Sequence, residues 1–82
     1  METETGRTRW FNSSKRYGFI APSNGGTDLF FHGSVLSDID SDAMDGGGEN
    51  IAVSFERGVS KRDGRPLAIN VRIIDEEDGN HV

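Results

Sequence analysis

Four side chains with flat π-faces fall at strand spacing in two short segments: Tyr17 and Phe19 in Tyr-Gly-Phe-Ile-Ala, and Phe30 and His32 in Leu-Phe-Phe-His. Successive side chains of an extended chain point to opposite sides. Tyr17 and Phe19 therefore share one side with Gly18 and Ile20 on the other, and Phe30 and His32 share a side opposite Leu29 and Phe31. Ile20, Leu29 and Phe31 suit a core, which leaves Tyr17, Phe19, Phe30 and His32 facing outward. Contiguous exposed apolar groups usually mark a binding surface, and Trp10, next to Arg9, extends this one. Every nucleobase has a π-face, so such a row can stack unpaired bases with little regard to sequence, each stack contributing roughly 1–3 kcal/mol. Arg9 and Lys15 would supply phosphate contacts. Asp28, whose oxygens only accept when ionised, would take a hydrogen bond from a base amino group at the edge of the row.

The elements that must position these groups are short. Thr8–Phe11 reads as a first strand, followed by the turn-forming cluster Asn12-Ser13-Ser14-Lys15. Residues 17–21 form a second strand, ended by Pro22 and by Ser23-Asn24-Gly25-Gly26, whose Asn and Gly tolerate positive φ. Residues 29–32 form the third, completing a meander. From Ser34 to Asn50 the chain reads as a mobile loop, with Val35, Leu36 and Ile39 spaced for one helical turn. Ile51, Val53 and Phe55 alternate with Ala52 and Ser54 as a fourth strand. Lys61-Arg62-Asp63-Gly64 is its turn, and Pro66 opens a fifth strand in which Ile69, Val71 and Ile73 share a face. Five short strands without a long helix or a repeat imply an all-β fold, a five-stranded antiparallel β-barrel, because closure protects the strand edges.

Bulk properties narrow the function. A domain of this size, 82 residues, buries only about 60% of its unfolded surface, so a large cofactor pocket does not fit. The absence of cysteine excludes a disulfide and thiolate chemistry. His32 has no second imidazole or thiol beside it in sequence, since His81 lies in the tail, and no metal or cofactor is expected. The acidic start Met-Glu-Thr-Glu-Thr-Gly is unlike a secretory leader, and no apolar run approaches the roughly 20 residues of a membrane span. A cytoplasmic, monomeric protein without membrane or small-molecule partners is the expectation. The net charge of −5 argues at first against a polyanion, yet the charges are segregated. Arg7, Arg9, Lys15 and Arg16 cluster without an acid among them, and Arg57, Lys61, Arg62, Arg65 and Arg72 surround Asp63 alone. The acids gather in Asp38, Asp40, Asp42, Asp45 and Glu49 and in the tail Asp75 to Asp78. Solvated charges farther than about 8 Å from a binding face are largely screened at physiological salt.

The stretch Trp10-Phe11-Asn12 through Lys15-Arg16-Tyr17-Gly18-Phe19-Ile20, followed by Asp28-Leu29-Phe30-Phe31-His32, resembles the two ribonucleoprotein motifs of the cold-shock domain, roughly K-G-F-G-F-I and D-V/L-F-V-H. The likeness covers residues 6–74, leaving residues 1–5 as an extension and 75–82 as an acidic, disordered tail. It implies an oligonucleotide-binding-type barrel that binds single-stranded RNA and DNA with low sequence specificity, as an RNA chaperone or a regulator of transcription or translation. By position it implies ligand contacts at Arg9, Trp10, Lys15, Tyr17, Phe19, Asp28, Phe30 and His32; where the chain departs from the family, the charges of Arg16, Lys61, Arg62 and Arg65 offer further phosphate contacts. Three departures matter. Arg16 replaces a glycine of the first motif, Gly33 stands where many bacterial members carry an aromatic residue, and residues 41–44 lack a phenylalanine common in that loop. The last two shrink the platform.

Other classes fit less well. Lys-Arg-Tyr-Gly-Phe-Ile also resembles one motif of an RNA-recognition motif, but that fold requires two helices and the reverse order of motifs. No nucleophile with a spaced His and carboxylate, and no phosphate-cradling glycine loop before a helix, supports an enzyme. The alternative from another class is a protein-interaction barrel whose aromatic face grips an extended or proline-rich peptide.

Overall fold

Alternation of apolar and polar residues becomes five strands in the computed structural model, which describes residues 3–44 and 47–74. They are β1 (Glu4–Asn12), β2 (Tyr17–Pro22), β3 (Leu29–His32), β4 (Ala52–Val59) and β5 (Pro66–Ile73). The sheet closes in the order β1-β2-β3-β5-β4. β1 begins at Glu4, inside the segment read as an extension, because residues 4–7 pair with Ala52–Phe55 of β4.

The expectation of a purely antiparallel barrel is corrected at one seam. β1 runs antiparallel to β2 and β4, β2 to β3, and β4 to β5, whereas β3 and β5 are parallel, with Phe30 opposite Leu67. Parity is the reason: strand directions cannot alternate all the way round a closed ring of odd number, so one neighbouring pair must run the same way.

The core is made by the inward halves of the alternation. Ile20, Leu29, Phe31, Met44, Val53, Phe55 and Val71 are each less than 2% exposed. Phe11 stacks on Phe31 with ring centroids 5.6 Å apart. Two bulges keep the phase of the pleat. In β1, Thr8 opposes Ile20 but Trp10 opposes Phe19, so Arg9 is an extra residue. Thr8 and Phe11 are thereby both buried while Arg9 and Trp10 both face out. In β5, Glu56 pairs with Ile69 and Ser54 with Arg72, and Asn70 adopts φ 50° between them. Ala68 and Val71 are therefore the fully buried pair, and Ile69 and Ile73 are only partly covered. Of the face expected to be shared by Ile69, Val71 and Ile73, Val71 and Ile73 keep to the core side and Ile69 leaves it, because a left-handed residue shifts the phase by one.

The segment expected as a mobile loop, with one helical turn at Val35, Leu36 and Ile39, carries a 3-10 turn, Gly33–Val35, and a short helix α1 (Asp38–Ala43). Ser37 caps α1 by accepting the Asp40 N–H at 3.1 Å, and Asp38 and Asp40 complement the positive end of its first turn. Met44, just beyond it, is fully buried. The buried hydroxyl of Thr8 donates to Gly48 O at 2.6 Å and accepts from Ile51 N at 2.8 Å, and Phe11 N donates to Gly47 O at 2.7 Å. These bonds satisfy β1 beyond the point where its pairing with β4 stops. The glycine run is thus docked where it is described, at Gly47 and Gly48. Asp45, Gly46 and the tail 75–82 lie outside the described residues.

Gly18 sets how closely β1 lies over β2. A Cβ there would collide with the carbonyl oxygen of Trp10 and stand 3.0 Å from the Phe31 ring. Backbone cannot yield as a flexible side-chain end can, so Gly18→Ala is expected to cost roughly 1–3 kcal/mol, toward the upper end of overpacking effects. Urea unfolding with an unchanged m-value reads this out, and full stability would refute the close approach.

Candidate nucleic-acid interface

The β2–β3 ladder pairs Tyr17 with His32, Gly18 with Phe31, Phe19 with Phe30 and Ile20 with Leu29. This register puts Tyr17, Phe19, Phe30 and His32 side by side on the outer face, as alternation required. The Arg9 bulge brings Trp10 into the same face. Trp10 lies 5.3 Å from Tyr17 and 5.5 Å from Phe19 between ring centroids, Tyr17 stacks on Phe30 at 5.7 Å, and Phe19 meets Phe30 edge-on at 5.9 Å. Trp10 is 37% exposed, His32 is exposed, and Tyr17, Phe19 and Phe30 are half-buried. The rings are covered in part by one another, outside the core cluster. His32 Nδ1 accepts the Ser34 N–H at 3.0 Å. In the neutral ring the proton then sits on Nε2, which leaves a donor on the ring's other edge.

The cations take different places. Arg9 Nε donates to both oxygens of Asp28, at 3.3 and 3.1 Å, so two expected ligand contacts hold each other. Side-chain exposures of 59% and 36% leave this pair well solvated and easily exchanged. Lys15 is exposed in the β1–β2 turn, where its N–H is taken by Asn12 Oδ1 at 2.9 Å. Arg16 has φ 62°. Its guanidinium lies against Gly33 and donates to Ser41 Oγ at 3.1 Å.

Lys61, Arg62 and Arg65 stand on the β4–β5 turn, exposed. Ser60 and Arg65 close that turn through Ser60 N to Arg65 O at 2.8 Å. The Asp63 carboxyl is held below the usual carboxylate range chiefly by accepting the Arg65 N–H. Arg57, from the same basic stretch, is engaged elsewhere: its Nε meets Glu4 Oε2 at 2.7 Å, and this hydrogen bond raises its pKa.

Between the rings and that turn runs an open groove of about 790 Å³, lined by Phe19, Phe30, His32, Asp28 and the turn cations Lys61, Arg62 and Arg65. Val59, Pro66 and Leu67 line it as well, and sequence reasoning did not single them out. Val59 carried one usable signal, a large apolar residue ending β4 beside a basic turn; it is 65% exposed. Leu67 carried none, since its role follows from the parallel seam with Phe30. Among the described residues no group of three or more His, Cys, Asp or Glu is placed to hold a metal.

A closed five-stranded barrel with a ring row on its second and third strands defines an oligonucleotide-binding-type barrel. Within that class, residues 4–74 match the family described as the "Cold-shock" DNA-binding domain, and the chain belongs to this nucleic-acid-binding family. It is similar to the cold shock-like protein CspA of Bordetella pertussis, 39% identical over 71 residues, covering 87% of this chain and 98% of that protein. The cold shock-like protein CspB of Yersinia pestis is 37% identical over 67 residues, covering 82% and 89%. A probable cold shock protein A of Mycolicibacterium smegmatis is 39% identical over 69 residues, covering 84% and 96%.

The mutual cover of the rings separates binding from stability. Phe30→Ala removes ring pairs with Tyr17 and Phe19 and is expected to cost about 1–2 kcal/mol. Phe31→Ala, one residue on but wholly buried, should cost about 3–5 kcal/mol. Chemical denaturation of both variants checks the ordering, and equal losses would place Phe30 in the core.

Proposed function

We propose that this chain binds single-stranded RNA and DNA along the ring row, with low sequence specificity, and acts as an RNA chaperone or as a regulator of transcription or translation. The observation that carries this reading is the continuity of stacked rings with a cation-rimmed groove: Trp10, Tyr17, Phe19 and Phe30 run into the space bordered by Lys61, Arg62 and Arg65. Bases stack on the rings while phosphates follow the cations. Arg9 and Lys15 contact phosphates at one end and the β4–β5 turn does so at the other. Asp28 exchanges Arg9 for a base amino donor as the strand arrives, which returns the Arg9 charge to the backbone of the ligand. The site holds and orients; it presents no activated nucleophile, and the chain acts by binding rather than by catalysis.

The working unit in this proposal is residues 4–74, since Glu4 and Thr5 belong to β1 and pair with Phe55 and Ser54 of β4. It works as a monomer in the cytoplasm. Among the described residues no helix is long and apolar enough to cross a membrane.

Trp10 offers a direct readout. Titration with oligo-dT or oligo-U is expected to quench its fluorescence by stacking, and log K should fall with log salt at a slope of about −1.4 to −2.8 for two to four neutralised phosphates. No quenching and no gel shift would refute the proposal, and an extended peptide bound with little salt slope would favour the protein-interaction alternative. The two flanking cations should differ. Lys15→Ala is expected to reduce the slope by about 0.7, and Arg9→Ala by less, because Asp28 already neutralises part of its charge.

A further inference from the structure

Arg16 occupies a backbone conformation that a side chain makes costly. Its φ of 62° is one glycine adopts freely and other residues hold only where surroundings impose it. The surroundings do so here: Arg16 N donates to Asn12 O at 2.6 Å, and Arg16 O accepts from Gly33 N at 2.8 Å. Glycine would satisfy both bonds without strain. Retaining a large side chain therefore calls for a return from the side chain itself.

That side chain is placed with care. A Cβ built on Gly33 would lie 3.1 Å from each of Cζ, Nε and Nη2 of Arg16. A point equally far from three atoms of a planar group, at more than twice a bond length, stands above the plane and not within it. The guanidinium thus lies flat over Gly33, and its bond from Nη1 to Ser41 Oγ at 3.1 Å fixes its rotation. Gly33 is buried beneath it while Arg16 is exposed. Tyr17 pairs with His32, and Arg16 and Gly33, joined by the Gly33 N to Arg16 O bond, lie immediately beyond the ends of those two strands, so this plane stands next to the last ring pair.

A flat, delocalised cation with one face seated on backbone and the other toward solvent is a surface on which a base can stack. We propose that the Arg16 guanidinium is a nucleobase-stacking subsite that prolongs the ring row past Tyr17 and His32, with Gly33 as its seat and Ser41 as its positioning residue. The inference rests on the reading that single strands lie along the rings. It assigns Arg16 to a base, where a charge alone would have assigned it to a phosphate.

Lysine preserves the charge and abolishes the plane, so Arg16→Lys discriminates. Binding of a short oligo-dT, followed by Trp10 quenching, is expected to weaken about tenfold with the salt slope unchanged. A set of the same oligonucleotide with each position abasic in turn should contain one position whose loss weakens the parent protein but not Arg16→Lys. Gly33→Ala gives an independent arm. The three atoms nearest its Cβ all belong to the movable end of Arg16, so it should lift the plane and weaken binding several-fold at the same abasic-sensitive position while the Tm stays close to that of the parent. Parental affinity in Arg16→Lys would mark Arg16 as a point charge and overturn the subsite, as would a loss spread evenly over all abasic positions. Failure of the unmodified protein to bind oligo-dT at all would instead refute the underlying single-strand reading.

Discussion

The pairing of Phe19 with Phe30 and of Ile20 with Leu29 is the constraint on which the rest depends. Side chains alternate with a period of two, so a slip of one residue would carry the outward rings of a strand into the barrel and its core side chains out of it. The register is held by the core half of the ladder: Ile20, Leu29 and Phe31 are at most 1% exposed, and burying each such side chain contributes roughly 1.5–3 kcal/mol. Phe30 and Phe31 are thus adjacent residues of the same type in opposite media. The stability that fixes one is what keeps the other at the surface.

Much of this was legible in sequence because β2 and β3 are regular, and regular strands obey the period that a reader applies. The outward set Tyr17, Phe19, Phe30 and His32 and the inward set Ile20, Leu29 and Phe31 follow from alternation alone. Legibility ends where a bulge resets the phase. Strict alternation cannot place Arg9 and Trp10 on one face or separate Thr8 from Phe11 by two outward residues, yet one extra residue in β1 does both. In β5 the left-handed turn at Asn70 moves burial from Ile69 to Ala68. Asn tolerates that conformation, but nothing local distinguishes this asparagine from one on a plain strand. The short helix α1 was hidden differently: its stability comes from the Ser37 cap, from the Asp40 carboxylate accepting Ile73 N at 3.2 Å and from buried Met44, of which only the cap is local.

Charge is reconciled with a polyanionic ligand by placement. The net charge of −5 would disfavour nucleic acid if spread evenly, but acids near the binding elements are engaged with cations or turns. Glu4 binds Arg57, Asp63 organises the turn that presents Lys61, Arg62 and Arg65, and Asp28 holds Arg9. Asp38, Asp40 and Asp42 belong to α1. An exposed pair such as Arg9 with Asp28 contributes little to stability. Its consequence is electrostatic: it lowers the standing positive charge at one end of the row while keeping the guanidinium positioned, so attraction to any polyanion is moderated and the groups remain ready to separate.

The groove itself is a product of strand parity. Five strands cannot alternate around a closed ring, so one seam must be parallel, and here it joins β3 to β5 through Phe30 and Leu67. Parallel pairing uses slanted bonds and is slightly weaker than antiparallel pairing, and this seam registers a single residue pair where β2 and β3 share four. A thinly laced seam leaves β3 and the β4–β5 turn spread apart at the surface, and the opening lies immediately beside Phe19 and Phe30. The ring row therefore borders a groove because its strand sits at the parallel seam, and the cations of residues 61–65 reach the same groove because their turn leads into β5. Topology alone, before any side chain is chosen, brings a face suited to stacking and an edge suited to charge into one surface.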